Sequence, residues 1–348
     1  MQGKMKAAIM TGIEKIEIME RDIPAPKNDE VLIKIEYVGV CGSDLHYFKN
    51  GRIGDFIVNY PFILGHECAG VVVETASMVK SLKVGDRVAL EPGKTCGRCE
   101  FCKSGYYNLC RDVIFFATPP VDGVFQEYCA HPEDLCFKLP ENVSTMEGAL
   151  VEPLAVGFHA ALSAGARLGQ TAVVSGSGCI GLVSMLALKA LGVSRVFVSD
   201  LLDKRLEKAK SLGAAGIINT GRDDLVKRVE ELTQGKGVDL FIETSGAEKA
   251  AASGIGLLKK GGTLVFVGYS QSGMMNLPIG QAMDKEISMK TIFRYRHIYP
   301  MAIEALANGK LNIKDIVTNS FDFCDIQNVM EECANNKTEI VKAVVKMP

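Results

Sequence analysis

Net charge is what this sequence has little of. Lys and Arg number 39 against 41 Asp and Glu, which leaves −2 over 348 residues. So weak a field attracts neither nucleic acid nor an anionic membrane surface, and neither is expected as a partner. A long apolar run is also missing, since no stretch approaches the roughly 18 residues of a membrane span. The opening residues, MQGKMKAAIMTGIEKIEIMERDIPAP, turn charged too early to contain the apolar core of a signal peptide. Internal repeats and low-complexity segments are absent. The expectation is a soluble, cytoplasmic chain, 47% apolar and 23% charged as globular proteins are. It is also long enough for two domains.

Cysteine, by contrast, is plentiful, with eleven residues. A reducing compartment argues against a disulfide framework and leaves clustered thiols available to metal. Four of them fall in one short stretch, CGRCEFCKSGYYNLC, as Cys96, Cys99, Cys102 and Cys110. Short C-x-x-C loops let thiolates converge on the corners of a tetrahedron, which is what zinc requires. Gly97 and Gly105, with the polar Lys103 and Ser104, let the segment turn as a small lobe. A redox C-x-x-C would leave the remaining thiols without purpose. Four protein ligands close the coordination sphere, so this predicted zinc is structural.

A looser constellation lies around it, in VGVCGSDLHYF, PFILGHECAGVV and GALVEPLAVGFH. Cys41, His66 and either Glu67 or Glu152 would supply three zinc ligands from distant points in the chain, leaving a fourth place for water or substrate. Taken singly, such a cysteine is more often a small buried hydrophobe and such a His–Glu pair a hydrogen-bonded turn. Their weight comes from combination.

The segment TAVVSGSGCIGLVSMLALKALG sets Gly176, Gly178, Ile180 and Gly181 in a G-x-G-x-x-G frame between a β-rich run and a helix-compatible one. The next predicted strand, RVFVSD, ends in Asp200. This is a dinucleotide fingerprint in its required context: the glycines admit the pyrophosphate and a helix N-terminus stabilises it. A carboxylate at Asp200 accepts hydrogen bonds from the adenosine ribose and repels a 2′-phosphate, favouring NAD over NADP. Arg205 either helps clamp that ribose or is a solvated helix charge.

Alternating strand and helix patterns continue past Asp200, which predicts an α/β fold with a doubly wound parallel sheet over residues 154–293. Residues 1–153 read as short strands punctuated by glycine and proline, a β-rich domain. Residues 294–348 do not extend the nucleotide pattern and are expected to return to the first domain. The cysteines at 68, 129, 136, 179, 324 and 333 lie mainly in apolar segments and are assigned to packing, Cys179 falling inside the glycine frame.

The whole chain resembles the zinc-dependent medium-chain dehydrogenases, most closely the sorbitol (polyol) dehydrogenase branch, in GHE, GDRVALEPG, YNLC, FFATPPVDG, KLPENVS, EGALVEPLAVG and FRYRHIYP. The resemblance implies a GroES-like first domain carrying two zinc ions, a Rossmann second domain binding NAD, and, by analogy, a homotetramer. It makes Cys41, His66 and Glu67 the ligands of the catalytic zinc, with Glu152 a fourth ligand or one acting through water. It makes Ser43 and His46 a proton relay and sets Tyr47, Phe115, Arg294 and Tyr295 against a polyol. Zinc would acidify a secondary hydroxyl of a sorbitol- or xylitol-like sugar alcohol, and hydride would pass to NAD+, giving a ketose. Two other readings stand beside this one. The first is a dehydrogenase of the same family acting on 2,3-butanediol, threonine or a simple alcohol. The second is a non-catalytic protein that binds zinc and nucleotide.

Overall fold

The computed structural model describes residues 2–270 and 272–348. Contacts within the chain divide it into two compact units. One comprises Met1–Glu152, Tyr299–Asn308 and Val317–Pro348, the other Pro153–Ile298 and Gly309–Ile316.

The spine of the first unit is the strand Glu30–Gly39, EVLIKIEYVG, in which Val31, Leu32, Ile33, Ile35 and Val38 are all fully buried. A β-branched run buried on both faces belongs at the centre of a sheet. Glu67–Thr75 pairs antiparallel along one edge of it. Along the other edge, Tyr128–Pro132 takes its first half and Ala343–Lys346 its last residues. Arg87–Leu90 and Cys136–Lys138 extend the sheet on one side and Asn319–Asp322 on the other. The register sets Gly39 opposite both Glu67 and Val344. The strand therefore delivers the residues just before Cys41 to the start of the Glu67 strand and to the C-terminal strand together. Phe48, Ile63, Leu64 and Phe125 pack into the core against this sheet, each contributing about 1.5–3 kcal/mol by burial.

In the second unit six strands run parallel, in the order Gly216–Asn219, Arg195–Asp200, Thr171–Ser175, Val238–Glu243, Leu258–Phe266, Ser288–Thr291. The chain starts in the middle, winds outward to one edge, then returns and winds to the other. This is the doubly wound order whose ligand crevice lies at the carboxyl ends of the first and fourth strands, here Ser175 and Glu243. The helices between are punctuated by ordinary chemistry. Leu225–Thr233, for example, is capped by the Asp224 carboxylate accepting from Lys227 N at 3.1 Å, and ends at Gln234 in the left-handed region. The α/β class expected from the sequence is thus present, with the parallel sheet and the glycine frame where the patterns put them. Among the described residues no helix is long and apolar enough to cross a membrane.

Candidate active site

The strand Glu30–Gly39 runs through Val40 to Cys41, which caps the helix Gly42–Asn50. The strand Glu67–Thr75 begins immediately after His66. The pairing of these two strands therefore brings three separate donors together. The sulfur of Cys41, an imidazole nitrogen from His66 and a carboxylate oxygen from Glu67 all lie within 4.8 Å of one another. The sequence left Glu67 and Glu152 as alternatives. Glu152, buried at the start of the helix Val151–Ala164, lies outside this group of three.

Asp44 organises the group and was not singled out in the sequence. Its side chain is wholly buried. Oδ2 accepts from Cys41 N at 3.0 Å, Oδ1 accepts from Gly65 N at 2.9 Å, and Oδ1 lies 3.5 Å from His66 Nδ1. One carboxylate thus fixes the backbone beside two candidate ligands and the ring of one of them. Burial works against the charge of Asp44, but His66 and the two backbone N–H groups outweigh it and hold its pKa below the usual carboxylate value. Burial likewise opposes the His66 imidazolium, while the negative charges of Asp44 and Cys41 raise its pKa well above normal. A pocket that so favours a proton on His66 offers a cation the same anionic surroundings. Soft sulfur, borderline nitrogen and one hard oxygen, with no fourth protein donor in the group, fit an open zinc site.

Of the other residues assigned here, Phe115 stacks obliquely on His66, ring centroids 5.9 Å apart. Ser43 is half-buried and His46 exposed, one turn apart on the Gly42–Asn50 helix. Tyr47, on the same helix, is buried with its ring 6.4 Å from that of Phe62.

The second metal group is Cys96, Cys99, Cys102 and Cys110, again within 4.8 Å. Cys99 and Cys102 sulfurs are 3.5 Å apart, Cys96 and Cys102 sulfurs 3.9 Å. A tetrahedron with Zn–S bonds of about 2.3 Å has edges of roughly 3.8 Å, so the sulfurs already stand at zinc spacing. Backbone N–H groups stabilise the thiolates: Cys99 N donates to Cys96 Sγ and Cys96 N to Cys110 Sγ, both at 3.4 Å. The N–H of Cys102 does the same for Cys99 and lowers its thiol to about 6, whereas burial pushes Cys110 up to about 11. The lobe is tied to the sheet by Tyr107 Oη, which donates to Glu91 Oε1 at 2.8 Å.

The nucleotide residues belong to the second unit. Gly176 has φ of 95°, and a Cβ on Gly181 would overlap the Gly176 carbonyl oxygen, so the turn and the close approach of helix to strand both require glycine. Gly178 caps the helix Cys179–Ala190, whose first turn contains Ile180. Asp200 accepts from Ser177 N at 2.7 Å through Oδ2, and from Leu201 N and Leu202 N through Oδ1. Arg205 lies alongside Gly178, its Nη1 3.7 Å from where a Cβ would stand, while its carbonyl accepts from Ser177 Oγ at 2.6 Å. Arg294 adopts a left-handed φ of 52° with its guanidinium 4.9 Å over the Phe293 ring, and Tyr295 beside it is buried.

The family described as alcohol dehydrogenase GroES-like domain matches residues 27–141, and that described as zinc-binding dehydrogenase matches residues 179–308. The sorbitol dehydrogenase of Bacillus subtilis (strain 168) is 45% identical over 98% of this chain and 97% of its own. An Escherichia coli oxidoreductase/dehydrogenase of unknown specificity superposes with a TM-score of 0.95 at 42% identity, covering 99% of this chain and 100% of that one. The 2R,3R-butanediol dehydrogenase of Bacillus subtilis superposes at 0.90 with 33% identity, covering 98% and 99%.

Proposed function

The chain belongs to the zinc-binding dehydrogenases with a GroES-like alcohol dehydrogenase domain, and from that premise we propose that it oxidises a secondary hydroxyl of a sugar alcohol to a ketone with NAD+. The observation that carries the reading is the Cys41–His66–Glu67 group within 4.8 Å, borne by a chain so similar to a sorbitol dehydrogenase along nearly its whole length. Residues 1–153 supply both metal sites in this reading, 154–293 the nucleotide site, and most of 294–348 returns to the first, as Tyr299–Asn308 and Val317–Pro348.

Zinc held by Cys41, His66 and Glu67 would supply Lewis acidity toward the substrate hydroxyl, and NAD+ the hydride acceptor. The remaining work belongs to the chain. Asp44 keeps Cys41 and His66 in place, and Phe115 covers the His66 ring and excludes water from it. Ser43 Oγ receives the hydroxyl proton and His46, exposed one turn on, passes it to solvent. Glu152 accepts a hydrogen bond from a second substrate hydroxyl. We assign Tyr47, Arg294 and Tyr295 to the polyol as well, the guanidinium offering five donors to a hydroxyl-rich molecule. Asp200 holds the adenosine ribose, with Arg205 beside it.

A second reading, a vicinal diol such as 2,3-butanediol, has in its favour the likeness to the butanediol dehydrogenase. The test is NADH formation with sorbitol, xylitol, other alditols, 2,3-butanediol, threonine and ethanol, with zinc measured on the same preparation. Turnover concentrated on alditols supports the proposal. Turnover confined to butanediol, threonine or ethanol replaces its substrate, and none with any panel member, at full zinc loading, overturns it.

A further inference from the structure

Glu67 has a partner that neither the metal nor the substrate accounts for. Lys342, six residues before Pro348, is 2% exposed, and its ammonium donates to Glu67 Oε2 and, at 3.0 Å, to the carbonyl of Val40. Glu67 itself is 1% exposed. An ammonium and a carboxylate so removed from water are each costly alone, and the pair holds only in good geometry with further hydrogen bonds.

The surroundings are shaped for that geometry. Gly39 faces Glu67 across the strand pair, and a Cβ there would overlap Glu67 Oε2. The absence of a side chain at 39 is therefore what leaves room for the carboxylate. Val344 pairs with Gly39, and Val40 N donates to Ala343 O at 3.0 Å. The C-terminal strand is thereby stitched to the Gly39–Cys41 segment, with Lys342 at the point where the metal group begins.

We propose that Lys342 is a positioning residue for the catalytic metal. Its ammonium and the Gly39 niche fix the Glu67 carboxylate in the orientation that faces Cys41 and His66, and so set how firmly the site holds zinc. The charge argument runs the same way. A divalent ion with a thiolate and a carboxylate sums to zero, and the nearby ammonium draws electron density from Glu67, leaving the metal a stronger acid than the donor set alone would. The inference rests on the reading of Cys41, His66 and Glu67 as metal ligands.

The experiment measures zinc retention under a competing chelator in wild type, Lys342→Met, Lys342→Arg, Glu67→Gln and the Lys342→Met/Glu67→Gln double variant. Zinc of the four-cysteine lobe serves as the internal standard for folding. The expected result is that Lys342→Met weakens retention of the second zinc about 10–100-fold, and that Lys342→Arg restores most of it. Adding Lys342→Met to Glu67→Gln should then have little further effect. Equal losses from Lys342→Met in both backgrounds would mean a general structural role and overturn the inference, as would unchanged retention in Lys342→Met. A wild type with only the lobe zinc overturns the metal reading instead. If Lys342→Met also loses the lobe zinc, Gly39→Ala probes the same niche from the other side: selective loss of the second zinc supports the inference, and retention as in wild type overturns it.

Discussion

Asp44 lies 3.5 Å from the ring of His66, wholly buried, while each of its oxygens also accepts a backbone N–H, from Cys41 and from Gly65. A single carboxylate thus holds two candidate ligands that are 25 positions apart in the chain. Asp44→Asn keeps the shape but presents an amide donor to one of those N–H groups. It should weaken retention of the catalytic zinc and lower kcat/KM by about 10–100-fold each, with the lobe zinc retained. Metal analysis and steady-state kinetics on one preparation check this. Wild-type zinc retention would mean that Asp44 serves only the fold.

The cysteine lobe should behave as an independent folding staple. Replacing Cys99 by Ser removes one of four sulfurs already at zinc spacing, and that thiolate is the one that the Cys102 N–H stabilises. Release of one zinc per chain is the expected result, with a loss of several kcal/mol and a fall in Tm on the order of 10 °C. Calorimetry with zinc determination reads both. An unchanged Tm after loss of that ion would show that the lobe is not structural.

Cofactor choice is expected to depend on Asp200. Its two oxygens take backbone N–H groups from Ser177, Leu201 and Leu202, so the carboxylate is fixed before any nucleotide arrives. Asp200→Ser removes the charge that opposes a 2′-phosphate. The ratio of kcat/KM for NADP+ over NAD+ should rise at least about tenfold, or about 1.4 kcal/mol. A ratio that stays at the wild-type value would place the discrimination elsewhere.

What could be read in the sequence was what is local. The four lobe cysteines fall in one short loop, so their spacing already carries their geometry. The glycine frame, its strand and its helix are likewise contiguous, and the buried parallel strands announce themselves as apolar runs. That Glu67, and not Glu152, groups with Cys41 and His66 could not be read from spacing, because it depends on the register that sets Glu67 beside Gly39. Asp44 was hidden for a different reason: three residues after the helix cap, an acidic side chain reads as ordinary capping, and here it caps and organises the ligands at once. Lys342 was the least legible. It lies just before the apolar strand Ala343–Lys346, 275 positions from Glu67, and only the pairing of that strand with Glu30–Gly39 brings the two together.

The pH dependence of stability should turn on Glu91 and His131, buried neighbours linked by the His131 Nε2 contact to the Glu91 carbonyl at 2.9 Å. Burial first, then the charges of Glu152 and Asp134, raise Glu91 to about 7 despite the Tyr107 hydrogen bond. Burial lowers His131 to about 4. Between the unfolded carboxyl value near 4.5 and about 7, the folded state holds a proton on Glu91 that the unfolded chain has lost. The stability from Glu91 is therefore complete below about 4.5 and declines as pH rises through 7. For His131 the unfolded chain binds the extra proton, so its contribution is complete above about 6.5 and is lost as pH falls through 4. Each slope is about 1.4 kcal/mol per pH unit with opposite sign, so between about 4.5 and 6.5 the two cancel. Gln at position 91 mimics the neutral acid and can still accept from Tyr107. Glu91→Gln should therefore match wild type near pH 4.5 and gain on it steadily up to about pH 7, unmasking the rising His131 slope. Denaturant unfolding of zinc-saturated protein across this range reads the difference directly. Parallel pH profiles for the two proteins would show that Glu91 is ionised in the fold.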